Sequence, residues 1–234
     1  MSKVRELINS FKKKVGLEEV IILSEFRKKK LLDEFHTFYD SNKNGCIEWK
    51  DFVLARENIC KMNGWKLGSE KFMYVHQVFT KLWQELNECA DENTDGKVST
   101  DEWLSFWLKD YIELKERQNI EAKKQKKKPN EIHMNIYENV PVWLEDYIQY
   151  KFNLLNRTGD GIVDGDEFEY TLGLFDIPAK DCRTAFIMLT ENNSKKINFP
   201  YFRKLALQYY RSDDETDVGN FINGRLTFSD ELDK

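Results

Sequence analysis

DSNKNGCIEWKD (residues 40–51) decides the fold, together with two stretches that repeat its pattern, DENTDGKVSTDE (91–102) and NRTGDGIVDGDE (156–167). Each stretch begins with Asp or Asn, has a glycine at its sixth position and ends on a carboxylate at its twelfth. The eighth position is always apolar and β-branched, and an aromatic residue follows the twelfth. The shared residues are Gly45, Gly96 and Gly161, then Ile47, Val98 and Val163, then Phe52, Trp103 and Phe168.

This spacing is typical of the calcium loop of an EF-hand. Calcium takes about six to eight oxygen ligands, so a short peptide must curl around it and offer side chains 1, 3, 5 and 12 and carbonyl 7. Glycine accepts the left-handed backbone that the sixth position requires. The predicted ligands of three calcium ions are Asp40, Asn42, Asn44, the Cys46 carbonyl and Asp51 in loop one; Asp91, Asn93, Asp95, the Lys97 carbonyl and Glu102 in loop two; and Asn156, Thr158, Asp160, the Ile162 carbonyl and Glu167 in loop three.

The three loops differ in their carboxylates. Loop one ends on Asp51, which is one methylene shorter than glutamate and offers fewer oxygens to the ion, so we expect this loop to tolerate magnesium best. Loop three begins with Asn156, and its carboxylates are Asp160, Asp164 and Glu167. We expect Asp164, at the ninth position, to sustain binding there.

A fourth copy spans Thr190 to Tyr201, because Ile197 and Phe202 fall at the eighth and thirteenth positions. Its ligands are gone, since Lys195 replaces the glycine and no carboxylate stands at a ligand position. We expect this loop to fold and bind no ion. Its function would be to pair with loop three, because a lone EF-hand leaves a strand edge uncovered.

The sequence therefore predicts an all-α fold of four EF-hands in two paired lobes, with short β-ribbons between paired loops. Its predicted parts are an N-terminal extension (1–23), a first EF-hand pair (24–112), a charged lysine-rich linker (113–139), a second pair (140–212) and a C-terminal tail (213–234). The extension suits an amphipathic covering helix better than a lipid or partner motif. The tail is expected to fold back onto a lobe.

The lysine run from Lys123 to Lys128 precedes Pro129, which should stop a helix. Such a run can be a solvated linker, a contact to a membrane or a partner, or a nuclear import signal, and we favour these in that order.

Composition favours a compact molecule. The chain has 16 Phe, 10 Tyr and 6 Trp but only 5 Met, whereas an adaptable calcium sensor opens a Met-rich groove.

Three divalent ions would bring the formal charge from −5 to about +1. The longest apolar run near the start, Val20 to Leu23, is too short for a signal core or a membrane span, so we expect a cytoplasmic protein with reduced cysteines. We expect a monomer with no nucleic-acid partner.

No enzymatic site is expected. The histidines, His36, His76 and His133, have no spacing that suggests zinc or a catalytic dyad. The Gly96-Lys97 dipeptide lacks the earlier glycine of a phosphate loop.

Five segments together resemble the calexcitin family: FHTFYDSNKNGCIEW, ADENTDG, WLEDYIQYKF, IPAKDCRTAF and GNFINGR. The resemblance runs from about Glu25 to Leu226. It implies a compact two-lobed molecule related to invertebrate sarcoplasmic calcium-binding proteins, with a silent fourth EF-hand. It also implies a neuronal calcium signalling protein whose partners are ion-channel or calcium-release proteins. The resemblance further implies GTP binding, but no residue of this sequence matches a site for it. The alternative is a sarcoplasmic-type calcium and magnesium buffer without a target.

Overall fold

The computed structural model describes residues 22–40, 42–89, 91 and 94–228. Most of the predicted N-terminal extension and the last residues of the tail lie outside these ranges. The helices within them are α1 (Glu25–Glu34), α2 (Trp49–Met62), α3 (Glu70–Cys89), α4 (Thr100–Gln125), α5 (Val142–Leu155), α6 (Gly165–Gly173), α7 (Ala179–Leu189) and α8 (Phe199–Arg211). The strands are β1 (Cys46–Glu48), β2 (Lys97–Ser99), β3 (Ile162–Val163) and β4 (Ile197–Asn198). The all-α prediction is confirmed, and none of the described helices is long and apolar enough to cross a membrane.

Two antiparallel ribbons join the loops in pairs. β1 pairs with β2, which places Ile47 opposite Val98, and β3 pairs with β4, which places Val163 opposite Ile197. All four side chains are buried. The β-branched residue at the eighth position of each loop therefore supplies both the strand and its apolar contact, and the fourth loop pairs with loop three as predicted.

The aromatic residues that follow the loops lie in one continuous core. Phe52, Trp103, Phe168 and Phe202 are buried in the same hydrophobic cluster. Rings also meet across the two EF-hand pairs: the centroids of Phe79 and Tyr150 are 5.1 Å apart, and those of Trp107 and Tyr210, which stack, are 4.9 Å apart. The two pairs therefore share their interior.

Helix α4 continues into the segment that the sequence suggested as a linker. Its last turns bury Asn119 and Ala122. These two residues do not form an apolar stripe in the sequence, so the sequence did not reveal the buried face. The helix ends at Gln125, and its C-cap, Lys126, has a left-handed φ of 54° and lies three residues before Pro129. The lysines from 123 to 128 are exposed. Much of this charged segment is thus a packed helix with a solvated end.

The described part of the tail folds back onto the helices. Asn220 Oδ1 accepts a hydrogen bond from Lys30 Nζ of α1 (2.8 Å), and the Phe228 ring packs edge-to-face on Phe26, with the centroids 5.9 Å apart. A short 3₁₀ turn, Val218–Phe221, carries the tail against α8.

Replacing Gly219 by Ala should destabilise the protein by about 1–3 kcal/mol, because a methyl group there would overpack the contact between the tail and α8. That methyl would lie 2.2 Å from the Leu205 carbonyl oxygen and 2.6 Å from Gln208 Cβ. Urea unfolding measures the effect. Gly173→Ala is the matched control: it adds a methyl with no neighbour within 4 Å, and it should be neutral or mildly stabilising. Equal stability of the two variants would contradict this packing.

Lys30, which lies on α1, is fully buried against α8 and the tail. Besides Asn220, its ammonium donates to the Ser212 carbonyl oxygen (3.0 Å). The pKa of Lys30 is lowered to about 7, chiefly by burial and also by the neighbouring charge of Arg27, while Asp213 and Asp217 oppose this shift.

The Lys30 pKa predicts a pH-dependent stability. Between pH 7 and 10.5 the unfolded chain keeps the Lys30 proton and the native state loses it, so this lysine makes stability rise with pH across that window. The free energy of unfolding of the wild type, minus that of Lys30→Met, should increase by up to roughly 1.4 kcal/mol per pH unit above pH 7. Urea unfolding at several pH values measures the difference, and a constant difference would show that Lys30 keeps its proton.

Candidate metal centres

The backbone follows the same path through loops one, two and three. The fourth and sixth positions of each loop are left-handed, with φ between 56° and 88°. The residues are Lys43 and Gly45, Thr94 and Gly96, and Gly159 and Gly161. The sequence revealed the sixth position through its glycines, whereas the fourth position carries a glycine only in loop three and was missed.

The fourth loop takes a different path. Its left-handed residues are Glu191, Asn192 and Asn193, at the second to fourth positions, and Lys195 at the sixth is not left-handed. The Lys195 ammonium forms an ion pair with the Glu191 carboxylate. The Tyr201 hydroxyl at the twelfth position donates to the Leu189 carbonyl oxygen (2.9 Å). These residues do not fit a cation cage.

Loop one brings its predicted ligands together. The Asp40 carboxylate accepts a hydrogen bond from the Asn44 amide (2.9 Å), and the Asn42 side-chain amide donates to Asp51 Oδ1 (2.9 Å). Asn44 Oδ1 accepts from the Cys46 backbone amide (2.9 Å). These bonds draw the first, third, fifth and twelfth side chains around one centre.

Loop two has the same local bonds. Asp91 Oδ1 accepts from the Asp95 amide (3.2 Å), and Asp95 Oδ1 accepts from the Lys97 amide (2.9 Å). Glu102 closes the loop at the start of α4. The predicted ligand at the third position, Asn93, lies outside the described residues.

Loop three contains an oxygen that lacks a partner. Asn156 Oδ1, at the first position, is buried and accepts no hydrogen bond. Glu167 Oε1 reaches across the loop and accepts from the Thr158 amide (2.7 Å), while Asp160 Oδ1 accepts from the Ile162 amide (2.8 Å). A cation between these side chains would supply the contact that Asn156 lacks.

The twelfth carboxylate of each loop also caps the helix that follows it. One of its oxygens accepts from a backbone amide three residues earlier, which fixes the side chain at the end of the loop. The pairs are Asp51 with Glu48 (2.9 Å), Glu102 with Ser99 (2.9 Å) and Glu167 with Asp164 (3.2 Å). Asp164 returns this bond, since its Oδ1 accepts from the Glu167 amide (2.8 Å). Asp164, at the ninth position, therefore uses one oxygen to cap the start of α6. The sequence predicted it as a supporting ligand and did not predict this cap.

The chemistry of these oxygens fits a hard divalent cation. The exposed fractions of Asp40, Asp51, Asp91 and Glu167 are only 1%, 2%, 5% and 6%. Burying a carboxylate is costly unless a cation or strong donors compensate. Within the described residues no cluster of three His, Cys, Asp or Glu side chains forms a metal site, in keeping with cages that mix carboxylates with amide and carbonyl oxygens. Calcium or magnesium therefore suits loops one to three.

The relatives of this chain include sarcoplasmic calcium-binding proteins and a calexcitin. The chain is 25% identical over 205 residues to sarcoplasmic calcium-binding proteins I, III and IV of Branchiostoma lanceolatum, covering 87% of this chain and 98% of the relative. It is 24% identical over 198 residues to calexcitin-1 of Caenorhabditis elegans, covering 83% and 84%. No protein-family model matches.

The structure of an amphioxus sarcoplasmic calcium-binding protein matches this fold with a TM-score of 0.68 at 23% identity, covering 88% of this chain and 100% of that one. The resemblance to calexcitins and sarcoplasmic calcium-binding proteins is thereby confirmed, and with it the EF-hand fold. These relatives also confirm the prediction that the chain is not an enzyme.

Proposed function

We propose that this chain, a homologue of the sarcoplasmic calcium-binding proteins and calexcitin, is a calcium-binding protein that holds three ions, one in each of loops one to three. One observation carries the proposal: these three loops share the left-handed fourth and sixth positions around oxygen-bearing side chains, and the fourth loop does not. The predicted ligands of each loop would hold the ion. The protein acts in the cytoplasm as a monomer.

Isothermal titration calorimetry of the metal-stripped full chain tests this proposal. It should give three calcium ions per chain. Glu102→Gln and Glu167→Gln should each remove one ion or weaken one site strongly, because each change removes the charge of a twelfth ligand. Asn192→Ala in the fourth loop is the control and should leave the number at three. A number above three would show that the fourth loop binds, and no heat at all would overturn the proposal.

For the finer function we propose calcium signalling of the calexcitin kind, in neurons, with a target engaged in the loaded state. The family resemblance supports this choice. The second candidate is a calcium and magnesium buffer, which the shared aromatic core and the docked tail favour, because both limit how far the lobes can open. An ion drives opening only as far as it binds the open state better than the closed one.

A titration with an apolar-surface dye in the presence of magnesium separates these candidates. A signalling protein should bind more dye as calcium rises through the micromolar range, because it exposes a surface for its target. A buffer should gain melting temperature with little change in dye signal. Capture of a target from neuronal lysate that is lost on adding chelator would also support signalling.

Replacing Asp51 by Glu should raise the preference of loop one for calcium over magnesium by tenfold or more, on the order of 1.4 kcal/mol. The longer side chain can give both oxygens to the larger ion, whereas magnesium demands a small octahedral cage. Competition calorimetry with each ion measures the ratio. Glu102→Asp in loop two is the reverse control and should lower that ratio. An unchanged ratio in Asp51→Glu would show that the twelfth side chain does not set selectivity.

A further inference from the structure

A buried cluster of polar side chains lies where α1, α5, α8 and the tail meet, and we call it the Glu34 cluster. Hydrophobic side chains surround it, and each of its members is largely removed from solvent. Its members are Glu34, Tyr39, Tyr147, Lys151, Tyr210 and Asn223.

The Glu34 carboxylate is the acceptor at the centre. Lys151 Nζ donates to both of its oxygens (3.0 and 3.1 Å), Tyr210 Oη donates to Oε1 (3.0 Å), and Asn223 Nδ2 donates to Oε2 (2.5 Å). The Tyr147 hydroxyl donates to the same carboxylate and accepts a bond from the Tyr39 hydroxyl. Because so many donors converge on one buried charge, a displaced member would leave polar groups unpaired.

The cluster remains intact at physiological pH. Burial raises the pKa of Tyr39, Tyr147 and Tyr210 well above the usual tyrosine value, and the Glu34 charge raises it further, so these hydroxyls stay neutral donors. Burial lowers the pKa of Lys151, while its bonds to Glu34 oppose that change.

The same side chains connect two metal loops in different EF-hand pairs. Tyr39 immediately precedes Asp40, the first ligand of loop one, and it ends a single π-helical turn, Phe35–Tyr39, that begins directly after Glu34. Turns of this kind are rare and concentrate at functional sites. On the other side, Lys151 lies on α5, a little over one turn before Asn156, the first ligand of loop three.

We propose that the Glu34 cluster couples loop one to loop three, with Tyr39 and Tyr147 as the positioning residues that transmit the effect. The inference rests on the proposed function and goes beyond it. A cation that draws Asp40 inward acts on Tyr39, and the hydroxyl pair between Tyr39 and Tyr147 passes the constraint to α5. Occupancy of loop one thereby strengthens binding in loop three, and by reciprocity occupancy of loop three strengthens loop one to the same degree.

The test measures the calcium affinity of loop three with loop one intact or disabled. The probe is calcium alone, added to the full chain, and the readout is the NMR signal of the Gly161 backbone amide. Asp51→Asn keeps the shape of the side chain and removes its charge, which disables loop one. We expect this change to raise the loop-three dissociation constant by about fivefold or more. In a Tyr39→Phe/Tyr147→Phe background the same change should raise it by less than about twofold.

Tyr150→Phe is the matched control. Tyr150 is a buried tyrosine on α5 that is not a member of the cluster, so this variant should retain the full effect of Asp51→Asn. A purely structural role of the tyrosines would lower the melting temperature of the double Phe variant without changing the dependence of loop three on loop one. Should the double variant fail to fold, Tyr39→Phe alone carries the test, because it leaves every bond to Glu34 in place.

The coupling is overturned if Asp51→Asn leaves the loop-three dissociation constant unchanged in the otherwise natural chain. It is also overturned if the double Phe background retains the full effect. A wild type that shows no calcium-dependent shift at Gly161, Gly45 or Gly96 would instead contradict the proposed function, so the two failures are distinguishable.

Discussion

Removing calcium from the fully loaded protein should lower its free energy of unfolding by about 8 kcal/mol. A ligand that binds only the native state stabilises it by about 2.7 kcal/mol at a concentration one hundredfold above its dissociation constant, and three such sites act together. The effect is large because most small domains have a total stability of only about 5–15 kcal/mol. Guanidinium unfolding with saturating calcium, and again with excess chelator, measures it.

The variant Asp51→Asn/Glu102→Gln/Glu167→Gln controls for effects of the chelator itself. It lacks the twelfth charge of every competent loop, so its unfolding curve should be nearly the same in calcium and in chelator. The control Asn192→Ala should keep the full calcium dependence. If the free energy of unfolding of the wild type falls by only about 2.7 kcal/mol, one site dominates. The assumption of three equal contributions would then be wrong.

Replacing Glu34 by Leu should destabilise the calcium-free protein by about 3–5 kcal/mol, because it leaves the ammonium of Lys151 buried without its counter-ion. Lys151 is bonded to both oxygens of that carboxylate, so the loss removes its principal partner. Urea unfolding in chelator at pH 7 measures the change without a contribution from metal binding.

The double variant Glu34→Leu/Lys151→Met separates the ion pair from the rest of the cluster. Removing both charges leaves no unpaired ion, so the double variant should be more stable than Glu34→Leu alone, and the two changes should be clearly non-additive. Simple addition of the single effects would show that the two side chains contribute independently. Lys151→Met alone completes the cycle.

Those parts of the fold that depend on local spacing were predictable from the sequence. The ligands of a calcium loop, the strand residue at the eighth position and the aromatic residue after the twelfth all lie within thirteen residues, so one pattern reports on them together. The left-handed fourth position was not predictable, since Lys43 and Thr94 adopt it without the glycine that would have indicated it. Loops one to three all take this path, and the hydrogen bonds around it offset the local strain.

Features that depend on distant residues were not predictable in the same way. Helix α4 buries Asn119 and Ala122 in its last turns, and these two residues do not continue the apolar stripe that marks a helix face in a sequence. The Glu34 cluster joins side chains from α1, α5, α8 and the tail, and each of them alone resembles an ordinary polar residue. Only the packing of the two EF-hand pairs brings them together.

The docked tail has a consequence for the order in which the chain matures. Lys30 and Glu34 are among the first described residues to leave the ribosome, but their tail partners, Asn220 and Asn223, come 190 and 189 residues later. Domains usually fold from the N-terminus during synthesis. At that stage the charged side chains of Lys30 and Glu34 in the first EF-hand pair still lack the tail residues that cover them. The first half of the molecule therefore completes its interior only after residues 220–223 have been synthesised.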